Sequence, residues 1–147
     1  MDGCIFCAIL AGSRPGSFVY RDELVSAFMD IHPVNPGHLL VVPNRHAANL
    51  AELDPADGAR LFQVAQRLAA ALRVSGLPCQ GVNLHVSDGV AAGQEVFHVH
   101  LHVIPRLSGD GAGLRRGPGG GYRLGEQAIE ETAQAIRGSL IPREDGG

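Results

Sequence analysis

The stretch QEVFHVHLHVIPR, residues 94–106, alternates three histidines with apolar residues. Successive side chains of a β-strand point to opposite faces, so this spacing predicts a strand with its histidines on one face and its valines and leucine on the other. The histidines are His98, His100 and His102. A single histidine at such a position would more often be an ordinary, partly buried residue. Three in strict register favour a strand with one face in the core and the other at a functional site.

The imidazole ring offers three kinds of chemistry at this face. A neutral imidazole can attack phosphorus, bind a metal ion or transfer a proton, and its ordinary pKa of about 6.5 leaves it largely neutral at physiological pH. The alternation by itself does not choose among these three uses.

The composition limits the class of protein. The chain has 147 residues, 45% hydrophobic and 18% charged, which is typical of a single folded domain spanning residues 1–147. No apolar segment is long enough to span a bilayer, and the start MDGCIFCAILAG lacks the basic region of a secretory signal, so we expect a cytoplasmic protein without a membrane partner. The net charge of −3 argues against nucleic acid as a partner, although Arg106, Arg115 and Arg116 could meet a small phosphate.

The rest of the sequence predicts an antiparallel sheet with helices. The strand-like runs are SFVYRD, ELVSAFMDI, HLLVVP, GVNLHV and VFHVHLHVIP. A short helix is predicted from Cys4 to Leu10, and a C-terminal helix over residues 126–140. The glycine-rich segment 107–125 predicts a loop before that last helix. The inward positions of the C-terminal helix are Ile129, Ala133 and Ile136.

The longest predicted helix begins in the sequence LDPADG. Asp54 is predicted as its N-cap, Pro55 as its first residue and Gly76 as its end. Apolar residues recur at helical spacing and predict a buried stripe with two wider edges. The stripe consists of Leu61, Ala65, Leu68 and Leu72, and the edges are Phe62 and Ala69. These elements together predict an α+β fold: an antiparallel sheet of about five strands with a long helix and a C-terminal helix.

The histidine row and its surroundings resemble a known family. The sequence HVHLHVI, residues 98–104, resembles the histidine triad (HIT) motif, in which three histidines alternate with apolar residues. The sequences DGVAAGQEVFHVHLHVIPR, residues 88–106, and FMDIHPVNPGHLLVVPNRH, residues 28–46, are similar to bacterial histidine triad nucleotide-binding proteins. The resemblance covers residues 4–106 closely and is loose beyond Arg106.

The resemblance implies a fold, an assembly and an activity. HIT proteins share a HIT-like α+β fold and dimerise by joining their sheets through the strand and long-helix region, so a homodimer is expected. Members are nucleotidyl hydrolases and transferases that form a covalent nucleotide adduct on the middle histidine, which is His100 here. His102 would hydrogen-bond the phosphate or assist the leaving group. The expected substrates are purine nucleotide conjugates cleaved at the α-phosphate, above all nucleoside 5′-phosphoramidates.

The same resemblance implies a nucleotide site in three parts. Asp30 would receive the ribose hydroxyls, an apolar slot would hold the base, and the GQEV segment with Ser87 would face the phosphate. Taken alone, the same positions are a turn residue, core residues and a loop. Many relatives carry Ser or Thr in place of Glu95 and Asn or Gln in place of Ser87, which bears on the leaving-group preference. The matching residues are Ile5, Phe6, Ile9, Phe28, Asp30, Ile31, Ser87, Gly93, Gln94, Glu95, Val96, His100 and His102.

A Cys-x-x-Cys pair, Cys4 and Cys7, lies in the predicted N-terminal helix. Two cysteines do not complete a structural zinc site, which normally has four ligands. The pair could also be two small buried residues, or a redox dithiol that lacks its usual preceding strand. In many bacterial relatives a matching pair is joined by histidines at the positions of His46 and His98, so the resemblance implies a closed, structural Cys2His2 zinc site and no organic cofactor. The pattern assigns no role to His32, His38, Cys79 and His85.

Three other functions stay open at this point. An enzyme that acts on dinucleoside polyphosphates, by hydrolysis or phosphorolysis, would differ on the leaving-group side of the site. A nucleotide-binding scaffold with little turnover would keep the fold without the chemistry, although intact His100 and His102 speak against it. A metal enzyme would use the triad as ligands and would lose its turnover when a chelator is added.

Overall fold

The computed structural model describes residues 3–111 and 124–140, and its centre is one sheet of five antiparallel strands. The strands are β1 (Phe18–Arg21), β2 (Val25–Met29), β3 (Leu39–Pro43), β4 (Gly81–His85) and β5 (Leu101–Arg106). Their order across the sheet is β1-β2-β3-β5-β4, and every neighbouring pair is antiparallel. The predicted sheet is therefore confirmed. Most of the glycine-rich segment 107–125, including Arg115 and Arg116, lies outside the described residues.

Three α-helices accompany the sheet. They are α1 (Ile5–Ala11), α2 (Pro55–Val74) and α3 (Glu126–Ser139), and single turns of 3-10 helix lie at Leu50–Glu52 and Val90–Ala92. The C-terminal helix α3 buries the three predicted inward residues and packs against α2 and β1. Within the two described ranges, every helix is too short or too polar to cross a membrane.

The long helix α2 begins where the sequence predicts it and differs at its edges. The Asp54 side chain accepts a hydrogen bond from the backbone N–H of Ala56, and Pro55 opens the helix. The helix ends at Val74, shortly before the predicted stop at Gly76. Phe62 was expected at the edge of the buried stripe, but its side chain is 53% exposed. The buried face includes Val64 and Ala71 instead, which each lie one position before a residue of the predicted stripe. With 3.6 residues per turn, such neighbours can lie on the same side of the helix.

The two faces of the sheet pack against different elements. Alternate residues of β2 and β3, such as Val25 and Leu39, join the larger core beneath α2 and α3. The intervening residues, such as Phe28 and Leu40, form a smaller cluster with Phe6 of α1. Because both faces are covered, every residue of β2 and β3 is buried. The candidate site lies on the face that carries α1.

The histidine-bearing strand is shorter than predicted. We expected it to begin at Val96, but β5 begins at Leu101, so His98 and His100 precede the strand. The alternation nevertheless continues from residue 98 into β5, since the apolar residue that follows each histidine belongs to the larger core. These residues are Val99, Leu101 and Val103.

The early end of the strand pairing has its cause in the neighbouring strand and the loop after it. Pro43 closes β3, and a proline has no N–H to offer to the ladder. Its carbonyl oxygen instead accepts a hydrogen bond from Nε2 of His98, at 2.8 Å. The backbone N–H of Val99 turns to the carbonyl oxygen of Ala47, also at 2.8 Å. Residues 98–100 therefore leave the sheet and are held by the loop that follows β3.

Candidate active site and metal centre

His100 is held with its two ring nitrogens in defined roles. Nδ1 lies 2.8 Å from the backbone carbonyl oxygen of His98. A carbonyl only accepts hydrogen bonds, so Nδ1 carries the proton and the neutral ring has its lone pair on Nε2. The ring is 8% exposed and meets the ring of Phe6 edge-on at a centroid distance of 5.1 Å. This is the tautomer that a nucleophilic imidazole requires.

His102 is held in the opposite tautomer by a residue to which the sequence assigned no role. His38 is fully buried, and its Nδ1 accepts a hydrogen bond from the backbone N–H of Val34 at 2.9 Å. Its proton is therefore on Nε2, which lies 2.9 Å from Nδ1 of His102. Nδ1 of His102 is then the acceptor, and its neutral ring carries the proton on Nε2. The neighbouring triad histidines thus present a lone pair and an N–H, respectively.

Asp30 extends this chain of hydrogen bonds. Its side chain is nearly buried, Oδ1 accepts from the backbone N–H of His32 at 2.8 Å, and Oδ2 lies 3.5 Å from Nε2 of His38. Asp30, His38 and His102 converge closely enough to be considered as metal ligands. However, the 2.9 Å between the two histidine nitrogens is a hydrogen-bond distance. Two nitrogen ligands on tetrahedral zinc would lie about 3.3 Å apart, so the geometry favours a hydrogen-bonded chain.

The GQEV segment is fixed by the side chain of Gln94. Its amide group donates to the carbonyl oxygens of Ala48 and Val96, and its oxygen accepts from the backbone N–H of Gly89 at 2.8 Å. Gln94 is therefore buried in the loop, and it holds the segment by its side chain. Gly93 has a φ of 95°, in the left-handed region that favours glycine. Glu95 is exposed and Val96 is half-buried.

The matched residues of the base slot separate into two groups. Phe6 and Phe28 are buried and meet edge-on at a centroid distance of 5.5 Å, and half-buried Ile9 packs against the same cluster. Ile5 is 40% exposed and Ile31 is 60% exposed. The structure thus brings part of this group together as a floor beneath His100 and leaves Ile5 and Ile31 on the surface.

Four side chains from three parts of the chain converge beside the triad: Cys4, Cys7, His46 and His98. Nδ1 of His98 lies 3.4 Å from the sulfur of Cys4 and 3.5 Å from that of Cys7. Nδ1 of His46 lies 3.4 Å from the sulfur of Cys7 and 3.3 Å from Nδ1 of His98. With zinc bonds of about 2.3 Å to sulfur and about 2.0 Å to nitrogen, a tetrahedron separates sulfur and nitrogen by about 3.5 Å and two nitrogens by about 3.3 Å. The four residues therefore fit a tetrahedral ion.

The protonation of these residues fits a cation as well. Nε2 of His98 donates to the carbonyl oxygen of Pro43, so Nδ1 carries a lone pair that faces Nδ1 of His46. Burial lowers the pKa of His98, which favours the neutral ring that can bind a metal. Burial and the neighbouring Cys4 raise the pKa of Cys7, and a bound metal ion would remove that thiol proton. The lone pair on Nδ1 of His98 is thus available to a cation held among the four residues.

The remaining cysteine and histidines lie in different settings. Cys79 is half-buried, and its thiol donates to the carbonyl oxygen of Gly81 at 3.4 Å. His32 is exposed at the end of β2. His85 lies in β4 directly opposite His102. The structure thus adds His38 and His85 to the residues around the triad. No sequence signal pointed to either residue, because each is a single histidine in an apolar strand run.

Comparisons with known proteins agree on one family. The family model of the HIT domain matches residues 11–109. An uncharacterised HIT-like protein from Borreliella burgdorferi is 43% identical over 118 residues, which cover 80% of this chain and 85% of that protein. The crystal structure of a zinc-bound histidine triad family protein from Mycobacterium smegmatis is similar, with a TM-score of 0.81, 40% identity, and coverage of 94% of this chain and 93% of that chain. A hypothetical histidine triad nucleotide-binding protein from Sulfolobus tokodaii has a TM-score of 0.84 and 32% identity, with 97% of each chain covered.

Proposed function

Because the chain belongs to the HIT family, we propose that it is a nucleotide hydrolase or nucleotidyl transferase that acts at the α-phosphate of purine nucleotide conjugates. Nucleoside 5′-phosphoramidates are the proposed substrates. The observation that carries this proposal is the pair of opposite tautomers, with a lone pair on Nε2 of His100 and a proton on Nε2 of His102. The nucleotide-binding description of the Sulfolobus tokodaii protein supports the same class of ligand.

The first chemical step forms a covalent adduct. The lone pair on Nε2 of His100 attacks phosphorus, and the bond from phosphorus to the leaving group breaks. The leaving group departs with that electron pair and takes a proton from water. The positive charge that develops on the ring is stabilised by the hydrogen bond from Nδ1 to the carbonyl oxygen of His98, at 2.8 Å.

The second step restores the enzyme. Water attacks the same phosphorus atom, the bond to Nε2 breaks, and the ring of His100 recovers its electron pair. The attacking water releases one proton to solvent, which balances the proton taken up by the leaving group. The products are the nucleoside monophosphate and the protonated leaving group.

His102 has a supporting role in this scheme. Its neutral ring donates a hydrogen bond from Nε2 to the phosphate or the leaving group, where negative charge develops. Full transfer of that proton would leave an imidazolate, because Nδ1 accepts a hydrogen bond from His38 and has no proton of its own. We therefore assign His102 to hydrogen bonding and not to complete proton transfer.

The nucleotide would lie across the face that carries α1. We propose that Asp30 receives ribose hydroxyls, since each oxygen of a carboxylate can accept more than one hydrogen bond. The floor of Phe6 and Phe28 would support the base. The backbone N–H groups of Glu95 and Val96 would face the phosphoryl oxygens, in a segment that Gln94 holds rigid.

The four-residue cluster of Cys4, Cys7, His46 and His98 is proposed as a zinc site. A zinc ion there would have a closed coordination shell and would tie α1 to the segment that precedes β5. The ligand spacing supports this, as does the zinc-bound neighbour from Mycobacterium smegmatis. The site would stabilise the fold and take no part in bond breaking.

A homodimer is also proposed, with two sheets joined along β4. The strand β4 lies at one edge of the sheet, and its residues are half-buried along its whole length. Exposed Phe62 on α2 offers apolar surface on the helix that the family uses for this contact. Unpaired strand edges are commonly covered in this way.

The direct test uses adenosine 5′-phosphoramidate and the variant His100→Ala. We expect the wild-type chain to release AMP and to yield a nucleotide adduct on His100 when it is quenched in acid and analysed by peptide mass spectrometry. We expect His100→Ala to lose turnover and adduct while it stays folded at the assay temperature, as its far-ultraviolet spectrum would show. Turnover by His100→Ala at the wild-type rate would refute the mechanism. Faster turnover of a diadenosine polyphosphate, measured side by side, would change the proposed substrate class.

A further inference from the structure

His85 is a histidine next to the triad that the proposed reaction does not use. It lies opposite His102 in the pairing of β4 with β5, and the two rings are tilted with a centroid distance of 5.0 Å. Its Nε2 lies 3.3 Å from the hydroxyl oxygen of Ser87. Its Nδ1 is buried and has no hydrogen-bond partner among residues 3–111 and 124–140.

The burial of an unpartnered Nδ1 favours one tautomer of the neutral His85 ring. A buried N–H without an acceptor is rarer in proteins than a buried acceptor without a donor. The proton of the neutral ring is therefore on Nε2, and Nδ1 carries the lone pair. Nε2 then donates its hydrogen bond to Ser87, whose hydroxyl oxygen is the acceptor. The hydroxyl proton of Ser87 must point elsewhere.

The hydroxyl of Ser87 is next to the segment that is proposed to bind phosphate. A Cβ atom placed on Gly93 would lie 3.9 Å from the Ser87 oxygen. The segment that follows Ser87 is held in place, because the side chain of Asp88 accepts from the N–H of Leu50 and the N–H of Gly89 donates to the side-chain oxygen of Gln94. Ser87 is half-buried, so a ligand can reach its hydroxyl.

We propose that His85 is a positioning residue that turns the Ser87 hydroxyl into a hydrogen-bond donor for the phosphate of a nucleotide bound at His100. This inference rests on the proposed function and deepens it. Serine has one hydroxyl, which can donate in many directions unless its oxygen is already engaged as an acceptor. The hydrogen bond from His85 removes that ambiguity. The pair of His85 and Ser87 thereby supplies the donor that an amide side chain would supply in relatives with Asn or Gln at this position.

The test combines single and double variants with two readouts. We would measure kcat/KM for adenosine 5′-phosphoramidate and the dissociation constant of AMP in His85→Leu, Ser87→Ala and the double variant. We expect each single variant to lower kcat/KM by about tenfold, the loss of about one neutral hydrogen bond. We expect the double variant to lose no more than Ser87→Ala alone, because His85 acts only through Ser87.

Two further variants separate positioning from packing. In His85→Gln the amide nitrogen can still donate to Ser87, so we expect recovery of most of the lost kcat/KM. In a Ser87→Asn background the amide supplies its own donor, so His85→Leu should cost little. The matched control is Leu84→Ala, the neighbouring residue of β4 that packs against the larger core. That control should lower the melting temperature and leave kcat/KM unchanged.

The outcomes distinguish this inference from the proposed function. Additive losses in the double variant, or unchanged kcat/KM in a folded His85→Leu protein, would overturn the role of His85 and leave the nucleophile intact. A wild-type chain without turnover and without an adduct would refute the proposed function. In that case AMP affinity decides the inference, and equal affinity in all of these variants would overturn it too.

Discussion

Replacing His38 should separate the stability of the protein from its activity. His38 is fully buried, accepts a hydrogen bond from the backbone N–H of Val34 and donates one to His102. His38→Phe keeps a planar ring at this position but leaves the buried N–H of Val34 without an acceptor, at a cost of about 1–3 kcal/mol. Loss of the hydrogen bond to His102 adds about 1 kcal/mol. We therefore expect His38→Phe to lower the free energy of unfolding by about 2–4 kcal/mol.

His38→Asn should behave differently, because its side-chain oxygen can take the place of Nδ1 and accept from Val34. Its amide is too short to reach His102, so the tautomer of His102 would no longer be fixed. We expect both variants to lose about tenfold in kcat/KM, the loss of about one hydrogen bond. The stability loss should be smaller in His38→Asn.

Urea unfolding gives the free energies, and steady-state kinetics well below the melting temperature give kcat/KM. The matched control is Leu39→Ala, which empties a fully buried position in the larger core and should cost about 2–5 kcal/mol with kcat/KM unchanged. Full activity in folded His38→Asn would show that His38 does not set the tautomer of His102 and would contradict the assignment of opposite tautomers to His100 and His102.

Three further predictions concern the metal, the pH dependence of stability and the dimer. Cys7→Ser should lower the melting temperature and abolish the bound zinc measured by elemental analysis, and zinc retained at one ion per chain would contradict the four-ligand site. Burial tends to raise the pKa of Asp22, but hydrogen bonds from Val25 and Arg60 outweigh it and the pKa is lowered. Asp22 therefore stabilises the fold at a pH above its unfolded pKa of about 4, and this stability is lost as the pH falls through the lower folded pKa. When the free energy of unfolding is measured over an acid titration, Asp22→Asn should lose less of it than the wild-type chain does. Phe62→Glu should convert dimer to monomer in light scattering with little change in the far-ultraviolet spectrum, and an unchanged mass would contradict the α2 contact.

Local patterns were sufficient to predict much of the fold. The alternation around the triad, the apolar stripe of α2 and the N-cap at Asp54 depend on residues close in sequence, and these features are confirmed. The strand start at Val96 was wrong, because the pairing ends through contacts with Pro43 and Ala47, which lie more than fifty residues away along the chain. The first residue of this strand depends on tertiary hydrogen bonds, which a local sequence pattern does not predict.

The sequence predicted the residues of the candidate site that belong to a motif. It did not predict the residues that reach the site through tertiary packing. His38 and His85 carry no spacing signal, because each is a single histidine in an apolar run, and a lone histidine is commonly an ordinary buried residue. Their roles depend on strand pairing, since β3 and β4 both flank β5 and bring these rings against His102. Phe62 was misplaced for a related reason, because a residue at the edge of a helical stripe can be covered or exposed according to what packs there.

The interleaving of three histidines has a physical explanation in the two ends of His98. Its side chain lies between the carbonyl oxygen of Pro43 and the cysteine sulfurs, and its backbone carbonyl accepts a hydrogen bond from Nδ1 of His100. A residue that is fixed through its side chain also fixes its backbone, so the metal centre would position the carbonyl on which the nucleophile depends. Two-residue spacing is what permits this, since Nδ1 of His100 reaches the carbonyl of the residue two positions before it. In the proposed reaction His98 would therefore act without meeting the substrate, because a shift of its carbonyl would remove the hydrogen bond that holds the proton on Nδ1 of His100.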